Sequence, residues 1–187
     1  MISPVLANDT VDEAVAAPVF MQSVHVRMFW KYMRSIMPPC GMVKVTDFDL
    51  MAIHRLAPDT IVCDFDYESC RNRLRFVGTR VVDMLGEEPT GRYLDEVNVG
   101  PYRSQQLAAF SMAVASGCPQ WTLLRVRQKK DDSVECIAKP VLTWERLVVP
   151  LAGPSGTVSQ LAAIMACAED TGEKSGFEHR ELVPGQF

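Results

Sequence analysis

The sequence predicts an α+β domain built on one antiparallel sheet, and three observations carry that reading. Between residues 61 and 78, two short runs alternate apolar and polar side chains on either side of a polar connection. A helical run, Tyr102 to Ser116, stands in the middle of the chain. After it come further strand-like runs, the last of which is apolar on both faces, as a central strand must be.

In chain order, residues 1–19 mix small apolar, acidic and proline residues without a period and read as a flexible N-terminal segment. Residues 20–37 form an amphipathic helix. Arg27, Lys31 and Arg34 share one face, and Met21, Met28, Phe29, Trp30, Tyr32, Met33, Ile36 and Met37 cover most of the rest until Pro38-Pro39 stops it. An apolar arc this wide exceeds what one side of a small sheet covers, so a second surface is expected. Three readings fit: packing on its own domain, dimerisation through Met28, Phe29, Trp30, Met33 and Met37, or binding to a membrane surface. From Asp47 to Pro58, a short helix is expected with Leu50, Met51, Ile53 and Leu56 on its apolar side.

Ile61, Cys63, Phe65 and Tyr67 then alternate with Val62, Asp64 and Asp66, the period of a half-buried strand. Leu74, Phe76 and Gly78 continue that period after the polar stretch Glu68 to Asn72, which is short enough for a hairpin. Thr79 is a candidate cap for a short helix carrying Val81, Val82 and Leu85, with Gly86 ending it and Pro89 preventing resumption. Asn98 to Pro101 reads as an entry to the long helix, in which Leu107, Phe110 and Val114 lie on one stripe; Gly117 and Pro119 close it. Gln120 to Gln128 is strand-like, Lys129 to Ser133 a solvated turn, and Val134 to Leu151 one long or two broken strands around Pro140. Val158 to Ala168 follows the turn Gly153 to Gly156, and residues 169–187 read as a charged, disordered tail.

The run RLRFVGTRVVDMLGEEPTGRYLDE, residues 73–96, resembles the core of a bacterial PAS-like family of alphaproteobacterial type. There, a Val-Gly-Thr step (Val77, Gly78, Thr79) precedes a helix, a Thr-Gly-Arg turn (Thr90, Gly91, Arg92) and a Leu-Asp pair (Leu94, Asp95). Residues 37–58 and 143–166 resemble the same family, so the likeness covers roughly residues 30–167. The resemblance implies a five-stranded antiparallel sheet of order 2-1-5-4-3 with helices on one face, the PAS-like domain occupying residues 38–168 and the N-terminal helix being an addition. It also implies that the long helix walls a ligand cavity, with Phe110 and Val114 facing it. Phe76, Leu85, Tyr93 and Trp144 complete the expected cavity, and Arg92 is a candidate for an anionic ligand, against the plainer role of fixing its turn. The hairpin between Pro119 and Trp144 is longer than usual for the family, which leaves its register open.

Composition narrows the function. With 48% hydrophobic residues, 22% charged residues and a net charge of -4, the chain has the balance of an ordinary globular domain without the basic footprint of a nucleic-acid binder. Six cysteines are scattered without CxxC spacing, which favours reduced thiols, and no signal sequence or membrane span is seen; a cytoplasmic location is expected. His25, His54 and His179 are too dispersed to draw a metal cluster. The pairs Asp47/Asp49 and Asp64/Asp66 fit caps and an exposed strand face better than acid–base work. No nucleophile elbow, phosphate loop or zinc motif occurs, so an enzyme is not expected. Relative to PAS sensors, the long helix lacks a haem-ligating histidine, and the Asn-Cys-Arg-Phe-Leu-Gln motif of flavin photosensors is missing; Cys70-Arg71-Asn72 echoes it loosely, between the first two strands.

The expected function is therefore a sensory or regulatory module that binds a small molecule or a regulatory protein partner and signals through homodimer or partner contacts. The alternative is a small isomerase-like cone-fold enzyme using a buried carboxylate, for which Asp83 and Asp95 are the candidates.

Overall fold

A computed structural model describes residues 17–39, 41–98, 103–127, 141–170 and 176–183. They form α1 (Val24–Ile36), β1 (Val43–Lys44), β2 (Thr60–Asp66), β3 (Arg71–Val77), α2 (Thr79–Leu85), α3 (Arg103–Ser116), β4 (Gln120–Arg127), β5 (Val141–Ala152), β6 (Val158–Asp170) and β7 (Gly176–Glu181). The sheet runs β3-β2-β6-β5-β4-β7, with β1 joining β5 in parallel beyond the end of β4. Counted from β2, the five strands β2 to β6 stand in the order 2-1-5-4-3, antiparallel throughout, so the chain has the PAS-like α+β fold.

Strict alternation along the central strands gives the sheet two buried faces. Leu147, Val149, Leu151, Ala162 and Ile164 pack beneath α1, whereas Val148, Leu161, Ala163 and Met165 join Ile61, Cys63, Leu74, Phe110 and Ala113 under α2 and α3. The apolar character of β6 on both faces thus reflects helices on both sides of the sheet.

For α1, packing on its own domain, one of its three readings, is what the chain shows, and three other expectations are corrected. The apolar arc of α1 finds its second surface within the same chain. Val26, Phe29, Trp30 and Met33, one stripe at helical spacing, are buried on the sheet, while residues 45–56 cover the flank. There the Tyr32 hydroxyl accepts from the Asp49 N–H at 2.7 Å and its ring meets Phe48 edge-on. That segment is not the helix expected over 47–58. It is a pair of 3-10 turns, Val45–Asp47 and Ala57–Asp59, joined by turns such as Leu56 N–H to Ile53 C=O at 2.7 Å. Leu50, Ile53 and Leu56 recur every third residue, a spacing that a three-residue turn also aligns, and Asp49 accepts from the Met51 N–H at 2.8 Å.

The second correction concerns α2, whose N-cap is Gly78 and not Thr79. A Cβ at Gly78 would run into the carbonyl oxygens of Ala57 and Pro58, so glycine is required by close approach of two backbones. Gly86 ends the helix as expected, in a left-handed conformation at φ 75°. Third, the tail expected to be disordered supplies β7, which pairs with the outer edge of β4 from Arg125↔Gly176 to Gln120↔Glu181. Two of its charges have partners: Arg125 of β4 contacts Glu178 at 2.7 Å, and Arg180 lies 4.7 Å over the ring of Phe20, which precedes α1. Leu182 then anchors it in the α1-side core.

The open register is resolved: Gln120 pairs with Val148 and Arg127 with Val141. The expected turn at 129–133 and break at Pro140 lie outside the described residues, as do the entry at 99–102 and the expected N-terminal flexible stretch up to residue 16.

Candidate functional site

Three consecutive residues of β5 organise the site. Trp144 and Arg146 project toward α2 and α3, and Glu145, between them, projects to the α1 face. On the helical side lies a small cavity of about 20 Å³, walled by Ile61, Leu74, Val77, Val81, Leu85, Pro89, Leu94, Val97 and Met165, with Gln106 of α3, Trp144 and Arg146 as its polar members. This is room for roughly one water-sized occupant.

Arg146 is only 6% exposed, and no carboxylate pairs with it among the described residues. One Nη2–H donates to Gln106 Oε1 at 3.3 Å, the guanidinium lies 5.2 Å from the centre of the Phe110 ring, and Nε is buried without a partner. Burial pushes the pKa of Arg146 down to about 10, so the side chain remains a cation at neutral pH. Desolvating an ion costs several kcal/mol. An aromatic face and one long hydrogen bond to a neutral amide oxygen return about 1–3 kcal/mol between them. The balance is unfavourable, and the neighbouring Trp144 Nε1–H, also buried and unpartnered, adds to it. Cys63 lies beneath as a neutral thiol, its pKa pushed up to about 12 by burial and then by Asp64, which argues against a nucleophile.

On the opposite face, the buried Glu145 carboxylate accepts from Trp121 Nε1 at 2.7 Å and from the backbone N–H of Gln22 at 2.9 Å and of Ser23 at 2.5 Å. Ser23 is the N-cap of α1 and accepts from the His25 and Val26 N–H groups. One strand therefore touches the cavity with two side chains and holds the start of α1 with the side chain between them.

Of the residues expected in the cavity, Leu85 and Trp144 line it, Phe110 lies under Arg146, and Val114 packs against the same core. Phe76 is half-buried on β3 and stands outside the lining. Tyr93 lies apart, donating to Asp66 Oδ2 at 3.2 Å with Arg71 3.8 Å over its ring. Arg92 pairs with Glu87 at 2.8 Å and donates to the Glu96 carbonyl, which fixes its turn. Asp83 is exposed, and Asp95 pairs with Arg71 at 2.8 Å on the surface; the cone-fold alternative requires a carboxylate in the cavity, and neither supplies one. Among the residues expected at a dimer contact, Phe29, Trp30 and Met33 belong to this chain's own core, Met37 is half-buried, and Met28 is exposed. Asp66 accepts from the N–H groups of Glu68 and Ser69 in its turn, and Asp64 accepts from Gln160 at 2.8 Å.

Sequence reasoning missed Arg146 and Gln106. A signal was present: two adjacent charges, Glu145 and Arg146, inside a strand covered on both sides put one charge on each buried face.

A second cleft opens between α1 and α2, where Asp59, 5% exposed, is held by Arg80 at 2.6 Å through both oxygens and by His25 Nδ1 at 2.8 Å. Among the described residues, no group of three or more His, Cys, Asp or Glu side chains is placed to hold a metal ion, and no helix is long and apolar enough to cross a membrane.

The strand order and the helices make the fold PAS-like. No family model and no curated protein matches the chain. Solved structures similar to it include a light-oxygen-voltage domain studied with a flavin analogue, at 12% identity and a TM-score of 0.45, covering 66% of this chain and 87% of that one. An RNA-binding light-oxygen-voltage receptor is similar at 18% identity and a TM-score of 0.41, covering 70% of this chain and 35% of that chain.

Proposed function

We propose that this chain is a PAS-type sensory or regulatory module of bacterial kind: it takes a small molecule between the sheet and α2/α3 and passes its presence to α1, and through α1 to a second copy or a protein partner. The observation that carries this is the alternation Trp144-Glu145-Arg146. A ligand that shifts the two cavity side chains moves the strand that holds the α1 N-terminus. The exposed side of α1, with Val24 and Met28, is the surface left for a second copy or a partner. A reducing, cytoplasmic setting suits the buried Cys63 thiol and the scattered cysteines.

Native mass spectrometry beside denaturing mass spectrometry and an absorbance scan tests this. A co-purifying small mass, lost on denaturation, supports the sensor. A protein that stays free of ligand, but whose association is abolished by Met28→Glu, shifts the reading to an interaction module without a ligand.

A further inference from the structure

With the cavity between the sheet and α2/α3 taken as the ligand site, its wall specifies the chemistry of the occupant. We propose that the ligand is a small amphipathic monoanion, a carboxylate on an apolar body, with Arg146 as the seat of its charge.

Three observations converge. Arg146 is a buried cation with no acidic partner among the described residues, and its Nε is unsatisfied. Trp144 presents a second unsatisfied, buried donor, Nε1–H, in the wall of the same cavity. The remaining wall is apolar, from Leu74 on β3 to Val81 and Leu85 on α2 and Met165 on β6. A planar guanidinium suits a carboxylate through paired N–H donors, and the indole N–H adds a further one. Charge balance favours a monoanion: one buried cation neutralises a carboxylate, whereas a phosphate dianion would leave a negative charge in an apolar chamber. Apolar lining favours a hydrocarbon body over a polyhydroxylated one. Because the cavity has room for only about one water-sized occupant, head group and body both enter by displacing α2, a helix of seven residues held at its start by the contact of Gly78 with Ala57 and Pro58. The strand carrying Arg146 also carries Glu145, so seating the anion pulls on the segment that holds α1.

The test compares hexanoate with 1-hexanol, matched in body and differing in charge, by titration into the ¹⁵N-labelled full chain at constant salt. The Trp144 indole resonance, assigned with Trp144→Phe, is the reporter, and Arg146→Met and Arg146→Lys are titrated alongside. The expected result is saturable movement of the Trp144 signal with hexanoate, binding at least tenfold weaker for hexanol, and at least tenfold loss of hexanoate affinity in Arg146→Met. Equal binding of the two probes to the wild-type chain overturns the anion assignment while leaving the cavity reading in place; that comparison holds even if neither variant folds. No movement of cavity resonances with any carboxylate from butyrate to decanoate, or with the matching alcohols, overturns the cavity reading and the assignment together.

Discussion

Glu145 and Trp121 are joined by a 2.7 Å hydrogen bond across β5 and β4, and the same carboxylate collects the backbone N–H groups of Gln22 and Ser23. A buried anion is tolerable here because three donors converge on it, two of them at the entry to a helix that lacks acidic residues in its first turn. This contact ties α1 to the sheet.

Glu145→Gln keeps the volume but replaces one acceptor oxygen with a donor facing an N–H. A loss of about 1–3 kcal/mol is expected, together with faster amide exchange at residues 22–26. Urea unfolding and hydrogen exchange check it; an unchanged midpoint and unchanged protection would show that α1 is held by its apolar stripe alone.

Along α1, burial separates neighbours. Trp30→Ala is expected to cost about 3–5 kcal/mol and Met33→Ala about 2–5 kcal/mol, because both empty a packed core. Met28→Ala is expected within about 0.5 kcal/mol of the parent. Thermal unfolding of the three variants distinguishes them, and equal losses at Met28 and Met33 would mean that the exposed side of α1 is covered in solution.

Arg146→Met removes an uncompensated buried charge and retains much of the apolar stem. The ligand-free variant is expected to be as stable as the parent or more so, by up to about 4 kcal/mol, which is the mark of a residue kept for a purpose other than stability. A variant less stable by more than about 2 kcal/mol would instead make Arg146 a structural element of the core.

The surface cluster of Arg71 with Asp95 and Glu96 sets part of the acid limb. The side-chain hydrogen bonds of Arg71 lower the pKa of both carboxylates from the ordinary 3.8 and 4.5. Groups whose folded pKa is depressed contribute stability above their unfolded pKa and lose it as pH falls through the folded one. Thermal midpoints measured downward from about pH 5 should therefore fall less steeply in Arg71→Met than in the parent, with the two curves converging in strong acid. Parallel curves would mean that the cluster stays formed, or absent, in both states.

Gly78→Ala forces the Ala57-Pro58 backbone away from the start of α2 and is expected to cost about 1–3 kcal/mol by overpacking. Gly86→Ala, with open space around it but a φ of 75°, is expected to cost about 1 kcal/mol. A Gly78 variant as stable as the parent would show that this junction yields, a property relevant to opening the cavity.

By itself, the sequence determined what short-range chemistry controls. The period-two runs of β2 and β3, the αL stop at Gly86, the length of α3 and the two-sided apolar character of β6 all depend on residues within a few positions of one another. The order of the five strands β2 to β6 followed from a family likeness carried by such local blocks. Pairings between distant positions were decided only in three dimensions: α1 buried by the same chain's sheet, β7 taken up by the β4 edge, Glu145 holding a helix start 122 residues away, and Arg146 left without a counter-charge. The physical reason is that a charge reads as solvated unless its surroundings are known. Whether Glu178, Glu145 or Arg146 meets water, a donor or an apolar wall depends on which strand lies beside it and which helix lies above, and neither is written in the neighbouring residues.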